Sequence, residues 1–323
     1  MKNFNDIRTL LKDDLEKTDL LLTTRLSSNV ALINQMSSYI IGAGGKRLRP
    51  LLVLLCARAT DYQGEHHRLM AVVIELIHTA TLLHDDIVDE SATRRGQDTA
   101  NEVWGNAASV LVGDFLYSRS FEMMVEPGSM RIMKILSKAT NNIAEGEVLQ
   151  LLNCQNSELT EDQYYQVIER KTAVLFQAAT QIGGILSEVD DIQEQALKKY
   201  GLHLGNAFQI IDDVLDYESD FESMGKEVGD DLSEGKTTLP MIFALANTTG
   251  ADNQLLKNAI NNADNSKITQ VIKILQSVDA FGYTREQAKK SAELAKDALV
   301  DIPSSAYKDA LILLCSLSLQ RKS

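Results

Sequence analysis

A chain of 323 residues, 44% apolar and 24% charged, is long enough for one large core or two ordinary domains and is no disordered tail. Thirty-two basic against 45 acidic residues give a formal net charge of −13, which opposes binding to nucleic acid or anionic lipid through bulk electrostatics, so any anion site must be local. Cys56, Cys154 and Cys315, an odd number at wide spacing with no C-x-x-C, argue against a disulfide framework or a cysteine metal site and fit a reducing, cytoplasmic compartment. The charge-rich first twenty residues do not read as a secretory signal, and no apolar run reaches the roughly 18 residues of a transmembrane helix.

Along the chain, Ile7, Leu10, Leu11 and Leu15 recur at three- and four-residue steps and predict an amphipathic helix. A glycine-rich break at 42–45 precedes segment 51–89, which is apolar on nearly every face, as are 107–124 and 173–186; these are expected as interior helices of a central bundle. Further breaks are expected at 91–96, 127–128, 153–159, 219–238 and 247–253. Beyond them Ile268, Val271, Ile272 and Leu275 repeat the helical step. Only four prolines occur, leaving 51–126 and 128–239 free of proline, and no alternating β-branched runs appear. The prediction is an all-α, single-domain helical bundle over 1–323. The longest break, 219–238, is rich in charge and glycine, and a loop of that length in a compact domain is usually functional.

One pattern, D-D-x-x-D, occurs twice: Asp85, Asp86 and Asp89, then Asp212, Asp213 and Asp216. At about 100° per residue, the three carboxylates of each set share one arc of helix surface. Like charges within one turn, near the negative end of a helix, repel one another and the dipole, so a cation should compensate them. Hard oxygen ligands suit Mg²⁺, which takes one or two carboxylates and completes its shell with water and substrate phosphates. A single such pattern is most often solvated helix surface. Two copies, each closing a mostly apolar stretch where unpaired charge is costly, favour function.

Basic residues cluster beside these motifs. Lys46, Arg47 and Arg49 follow Gly44 and Gly45 just before a buried helix, a pattern suited to anion binding. Arg94 and Arg95 follow the first aspartate set, Lys171 and Thr172 open another apolar helix, and Lys226 and Lys236 lie in the long break after the second set. His78 precedes Asp85 by close to two turns on the same face. Glu75 and His78 spell E-x-x-H, but a di-iron bundle needs a second copy and none exists. No G-x-S-x-G, P-loop or G-x-G-x-x-G supports nucleophilic hydrolysis or nucleotide binding.

Taken together, GGKRLRP, LLHDDIVDESATRRG, KTA at Lys171, and FQIIDDVLDY followed by GKEVGDDLSEGKTTLP resemble the trans-isoprenyl diphosphate synthase family in order and approximate spacing, from Gly44 to Pro240. IHTATLLHDDIVDES, GNAASVLVGDFLYSRSF and AEGEVLQL are similar to its long-chain bacterial branch. The resemblance implies an all-helical fold around a deep central cavity, usually a homodimer, that condenses isopentenyl diphosphate onto an allylic diphosphate such as farnesyl diphosphate. It implies Mg²⁺ held by Asp85, Asp86, Asp89, Asp212, Asp213 and Asp216. It further implies that Arg94, Lys171, Lys236 and, on loop closure, Lys226 contact the allylic diphosphate, and that Lys46, Arg49, His78 and Arg95 hold isopentenyl diphosphate. Thr172 and Gln209 would line the place where the allylic cation forms. Ala80 and Thr81, about one turn before Asp85, are small where short-chain relatives commonly carry aromatics, and Met123 or Met124 would close the chain-length tunnel. The long-chain product would serve a quinone side chain. Two other readings stay open: a non-catalytic subunit regulating a partner synthase, and a class I terpene cyclase, for which GGKRLRP would be unexplained.

Overall fold

The structure is a computed structural model that describes residues 1–42, 44–94, 96–218 and 228–321. It is helical almost throughout. The first eleven helices are α1 (Phe4–Leu10), α2 (Lys12–Arg25), α3 (Ala31–Gly42), α4 (Leu48–Ala59), α5 (His66–Val88), α6 (Ala100–Trp104), α7 (Asn106–Met124), α8 (Met130–Leu152), α9 (Glu161–Ile168), α10 (Val174–Leu186) and α11 (Asp191–Glu218). A four-residue helix at Asp230–Ser233 and helices at Leu239–Asn247, Gly250–Asn261, Ile268–Ser277, Ala280–Ala298 and Ala306–Leu319 complete the chain.

Local chemistry sets several boundaries. Thr160 and Gln163 form a reciprocal capping box at the start of α9. Pro240 sits in the first turn of the helix Leu239–Asn247, where its missing N–H costs nothing. Segment 51–89 is two helices and not one, because Asp61 takes a left-handed backbone (φ 61°) in the turn between α4 and α5. The stretch 91–96 likewise holds more than a plain turn: β1 (Thr93–Arg94) pairs antiparallel with β2 (Gln97–Asp98). Helix Gly250–Asn261 begins inside the expected break at 247–253.

At the centre, α10 touches α4, α5, α8 and α11, and α4 is buried from Pro50 through Ala57. These helices share one apolar core with Ala80, Met123, Met124 and Phe176. Burying each large side chain there contributes about 1.5–3 kcal/mol. Between α9 and α10 the helix runs as a π segment, Glu169–Ala173, clamped by two glycines: a Cβ on Gly146 would lie 2.7 Å from the Lys171 nitrogen, and one on Gly205 would lie 2.6 Å from the Ala173 Cα. The expectation of an interior helix fails for α7. Its inner face buries Val112, Leu116, Met123 and Met124 against α5, but Val110, Leu111 and Phe121 are exposed, with Val148, Leu151 and Leu152 exposed on α8. An apolar composition on all faces cannot distinguish a helix surrounded within one chain from one that leaves a face uncovered.

Candidate active site

The first aspartate set closes α5, with Asp89 as its cap, where the helix dipole is negative. Asp86 is buried and accepts from Arg94 on β1 (Nε 2.8 Å, Nη2 2.6 Å). Asp89 accepts from Lys236 Nζ at 2.8 Å, and the same ammonium reaches Glu234. Burial pushes the Asp85 carboxyl up to about 6; Lys171 opposes the shift, while Glu147 and Asp89 add to it. Lys171 Nζ is held between Glu147 Oε2 (2.7 Å) and Gln150 Oε1 (2.6 Å) of α8.

The second set lies on the last turns of α11. Asp213, buried, accepts from the Tyr164 hydroxyl and from Gln209 Nε2 (3.0 Å), and Gln209 Oε1 in turn accepts from Thr172 Oγ1 at 2.9 Å. Burial, reinforced by Asp231, pushes the Asp213 carboxyl up to about 8. Asp212 is ion-paired with Arg321 (2.6 Å), and burial raises its pKa against that arginine's pull. Asp216 accepts from the Asp230 amide at 3.1 Å, which anchors the short helix Asp230–Ser233 to α11. Although burial opposes it, Glu234, Asp231 and Asp89 push the Lys236 ammonium well above its ordinary range. Lys236 thus lies between Asp89 of the first set and Asp231, the carboxylate that acts on Asp213 of the second. A cavity of about 650 Å³ opens beside Asp89, Glu147, Cys154 and Glu234, and a smaller one beside Lys171, Thr172, Gln209 and Asp213; both reach Gln150 and Lys236.

The basic cluster sits alongside. Gly44 (φ 73°), Gly45 (φ 128°) and Arg47 (φ 44°) turn the backbone into α4. That turn sends Arg47 outward to Asp19 and, at 3.9 Å, to Glu75. Arg49 meets His78 Nε2 at 2.9 Å and lies on the Phe176 ring, 4.6 Å from its centroid. Lys46 is pulled down by burial and by Arg321, with Asp212 opposing. Arg321 lies 3.9 Å from the Phe208 centroid. The ribbon that carries Arg94 is fastened by Tyr39, whose hydroxyl donates to the Asp98 carbonyl (2.8 Å) and whose ring meets Trp104 edge-on at 5.0 Å.

Both aspartate sets thus gather at one place with Arg94, Lys171, Thr172, Gln209 and Lys236, and Lys46 and Arg49 stand beside Asp212, with His78 on Arg49. Arg95, Lys226 and residues 219–227 of the long break expected at 219–238 lie outside the described residues. Ala80 is buried one turn before the aspartates, Thr81 is half-buried with its hydroxyl turned to the His78 carbonyl (2.8 Å), and Met123 and Met124 lie in the same core as Ala80. Sequence reasoning missed Arg321, Glu147, Gln150, Tyr164, Asp231 and Glu234. The i, i+3 pair Glu147 and Gln150 was visible in AEGEVLQL, whereas nothing near Arg321 signals a site.

The donor set fits a divalent cation of the oxygen-loving kind. Among the described residues no group of three His, Cys, Asp or Glu side chains is placed to hold a metal by itself. The three carboxylates of each aspartate set are enough to give a Mg²⁺ ion the one or two that it uses when phosphates and water complete its shell. Asp85 and Asp213, both pushed toward neutrality by burial among other carboxylates, mark a place where positive charge is wanted.

Residues 30–278 match the family described as polyprenyl synthetase. The chain is 46% identical over 320 residues to the octaprenyl diphosphate synthase of Escherichia coli strain K12, covering 99% of each chain. It is 44% identical to the all-trans-nonaprenyl-diphosphate synthase (geranyl-diphosphate specific) of Rhodobacter capsulatus, covering 98% of this chain and 97% of that one. Its structure is similar to the polyprenyl synthase of Caulobacter crescentus CB15 complexed with calcium and isoprenyl diphosphate, with a TM-score of 0.96 at 40% identity over 100% of this chain and 99% of the other.

Proposed function

Because the chain belongs to the polyprenyl synthetase family and is a prenyltransferase of the trans-prenyl diphosphate synthase type, we propose that it extends farnesyl diphosphate with isopentenyl diphosphate to octaprenyl diphosphate for a quinone side chain. We place it in the cytoplasm as a Mg²⁺-dependent homodimer. The observation that carries the site reading is Lys236, which bonds Asp89 of the first aspartate set and is drawn by Asp231, the carboxylate that also raises Asp213 of the second. The product length rests on relatives named octaprenyl synthases at 44–46% identity, against the nonaprenyl synthase at 44%. The reducing compartment fits three free cysteines, and the homodimer fits the uncovered apolar face of α7 and α8.

In this reading Asp85, Asp86, Asp89, Asp212, Asp213 and Asp216 hold the Mg²⁺, which supplies positive charge against the departing diphosphate. Arg94, Lys171, Lys236 and, from the undescribed segment, Lys226 bind that diphosphate, and their preorganised charge lowers the barrier to breaking the allylic C–O bond. Lys46, Arg49, His78 and Arg95 orient isopentenyl diphosphate so that its double bond attacks the carbon left electron-poor. Thr172 and Gln209, hydrogen-bonded to each other and to Asp213, offer fixed dipoles beside that carbon. The released diphosphate takes the proton. Water, which would otherwise capture the cation, has to be kept from the site. Ala80 and Thr81 let the growing chain pass, and Met123 or Met124 ends its path.

The test is to incubate the purified chain with farnesyl diphosphate, labelled isopentenyl diphosphate and Mg²⁺, then chromatograph the dephosphorylated products. An eight-unit product is expected. A nine- or ten-unit product would correct the length alone. A chain that only regulates a partner synthase would consume no isopentenyl diphosphate, and a terpene cyclase would release hydrocarbon from the allylic substrate alone.

A further inference from the structure

Four aromatic and cationic groups form a stack in this molecule. Arg49 lies over the Phe176 ring at 4.6 Å, Phe176 meets Phe208 at 5.4 Å with the rings tilted by 46°, and Arg321 lies over Phe208 at 3.9 Å. Phe176 is fully buried, on the first turn of α10. The other three side chains of the stack come from α4, from α11 and from beyond the last helix, so the stack ties distant segments together. Lys46 feels the positive charge of Arg321, and Asp212, 2.6 Å from Arg321, is acted on by both Arg321 and Arg49.

We propose that Phe176 is a positioning residue of the isopentenyl diphosphate site: with Phe208 it forms an aromatic wall between Arg49 and Arg321 and supports each guanidinium by its face. The proposal rests on the reading of Lys46, Arg49 and His78 as that site. The physical argument concerns direction. A carboxylate partner engages a guanidinium through its in-plane N–H donors, the same donors that bond phosphate oxygens, and would have to be displaced by substrate. A ring face attracts the cation from above its plane and does not compete for those donors. The wall thus holds Arg49 in position from above its plane while its edge answers the diphosphate. A desolvated contact of this kind also accounts for a fully buried phenylalanine beside a cation in a protein that has carboxylates in excess.

The test replaces Phe176 with 4-fluoro-, 3,5-difluoro- and 3,4,5-trifluorophenylalanine, which keep the ring's shape and lower the electron density on its face step by step. The KM for isopentenyl diphosphate should climb with each fluorine, by about two- to tenfold across the series, while the KM for the allylic primer and kcat stay within about twofold. The Kd for isopentenyl diphosphate alone, by calorimetry, should follow the same order. Phe176→Leu should raise that KM further in the same direction. A flat fluorine series, or two KM values that rise together, would overturn the proposal, since either result makes Phe176 ordinary core. Arg49→Ala separates the layers. If it raises the isopentenyl diphosphate KM while the fluorine series is flat, this inference alone fails; if it leaves that KM unchanged, the site reading fails and this inference with it.

Discussion

At the residue scale the aspartates divide by what holds them. Asp86 and Asp89 rest on Arg94 and Lys236, whereas burial pushes Asp85 to about 6 and Asp213 to about 8. Both are carboxyls whose folded pKa exceeds the ordinary 3.8, so the stability tied to their protonated forms is fully present below about pH 3.8 and is lost as pH rises through about 6 and then about 8. The melting temperature of the metal-free protein should therefore fall between about pH 4 and 8 and level off above that. Adding Mg²⁺ with inorganic diphosphate should flatten that fall, and Asp213→Asn should remove its upper part; scanning calorimetry across the pH series checks both. For turnover, Asp85→Ala or Asp212→Ala should lower kcat by a factor on the order of 10³ with the helical circular dichroism intact, because each removes charge from the reacting centre and little packing. Steady-state assays in saturating Mg²⁺ decide it, and near wild-type turnover in either variant would end the two-cluster mechanism. Both sets were legible in the sequence because their spacing matches the helix repeat. Arg321 was not, because its ion pair with Asp212 depends on how the chain returns to α11, which no local pattern encodes.

At the element scale the π segment Glu169–Ala173 widens one turn and presents Lys171 toward α8 and Thr172 toward α11. The close backbone approach at Gly146 fixes that turn. Gly146→Ala should push the segment away, costing about 1–3 kcal/mol by overpacking and raising the KM for the allylic primer more than that for isopentenyl diphosphate; denaturant melts and two-substrate kinetics measure the two effects. Helices were readable from apolar periodicity, but the widening was not, since ERKTA carries no signal distinct from an α-helix. The break between α4 and α5 was missed for a similar reason, its left-handed Asp61 being one residue in an otherwise apolar run. On α5 itself, Ala80→Phe or Thr81→Phe should shorten the product, and Met123→Ala on α7 should lengthen it, as chromatography of the dephosphorylated products would reveal. An unchanged distribution in the phenylalanine variants would place the growing chain elsewhere.

At the scale of the whole molecule, the bundle leaves Val110, Leu111 and Phe121 uncovered on one side of α7, with Val148, Leu151 and Leu152 on α8. In the proposed homodimer this face is covered by a second copy, so Leu111→Asp should shift the protein from dimer to monomer by light scattering at micromolar concentration; a variant that stays dimeric would locate the interface elsewhere. Composition could count these apolar residues but could not say which side of a helix its own chain would cover. The anchoring of the arginine ribbon carries a further consequence, an optical one. Trp104 is the sole tryptophan in 323 residues, so under selective excitation the ultraviolet emission of the entire protein comes from one indole. That indole is set edge-on to Tyr39, and the Tyr39 hydroxyl is fastened to the strand paired with Arg94. Any diphosphate that draws Arg94 from Asp86 pulls on this fastening, and the molecule carries its own lamp at the point where the strain arrives.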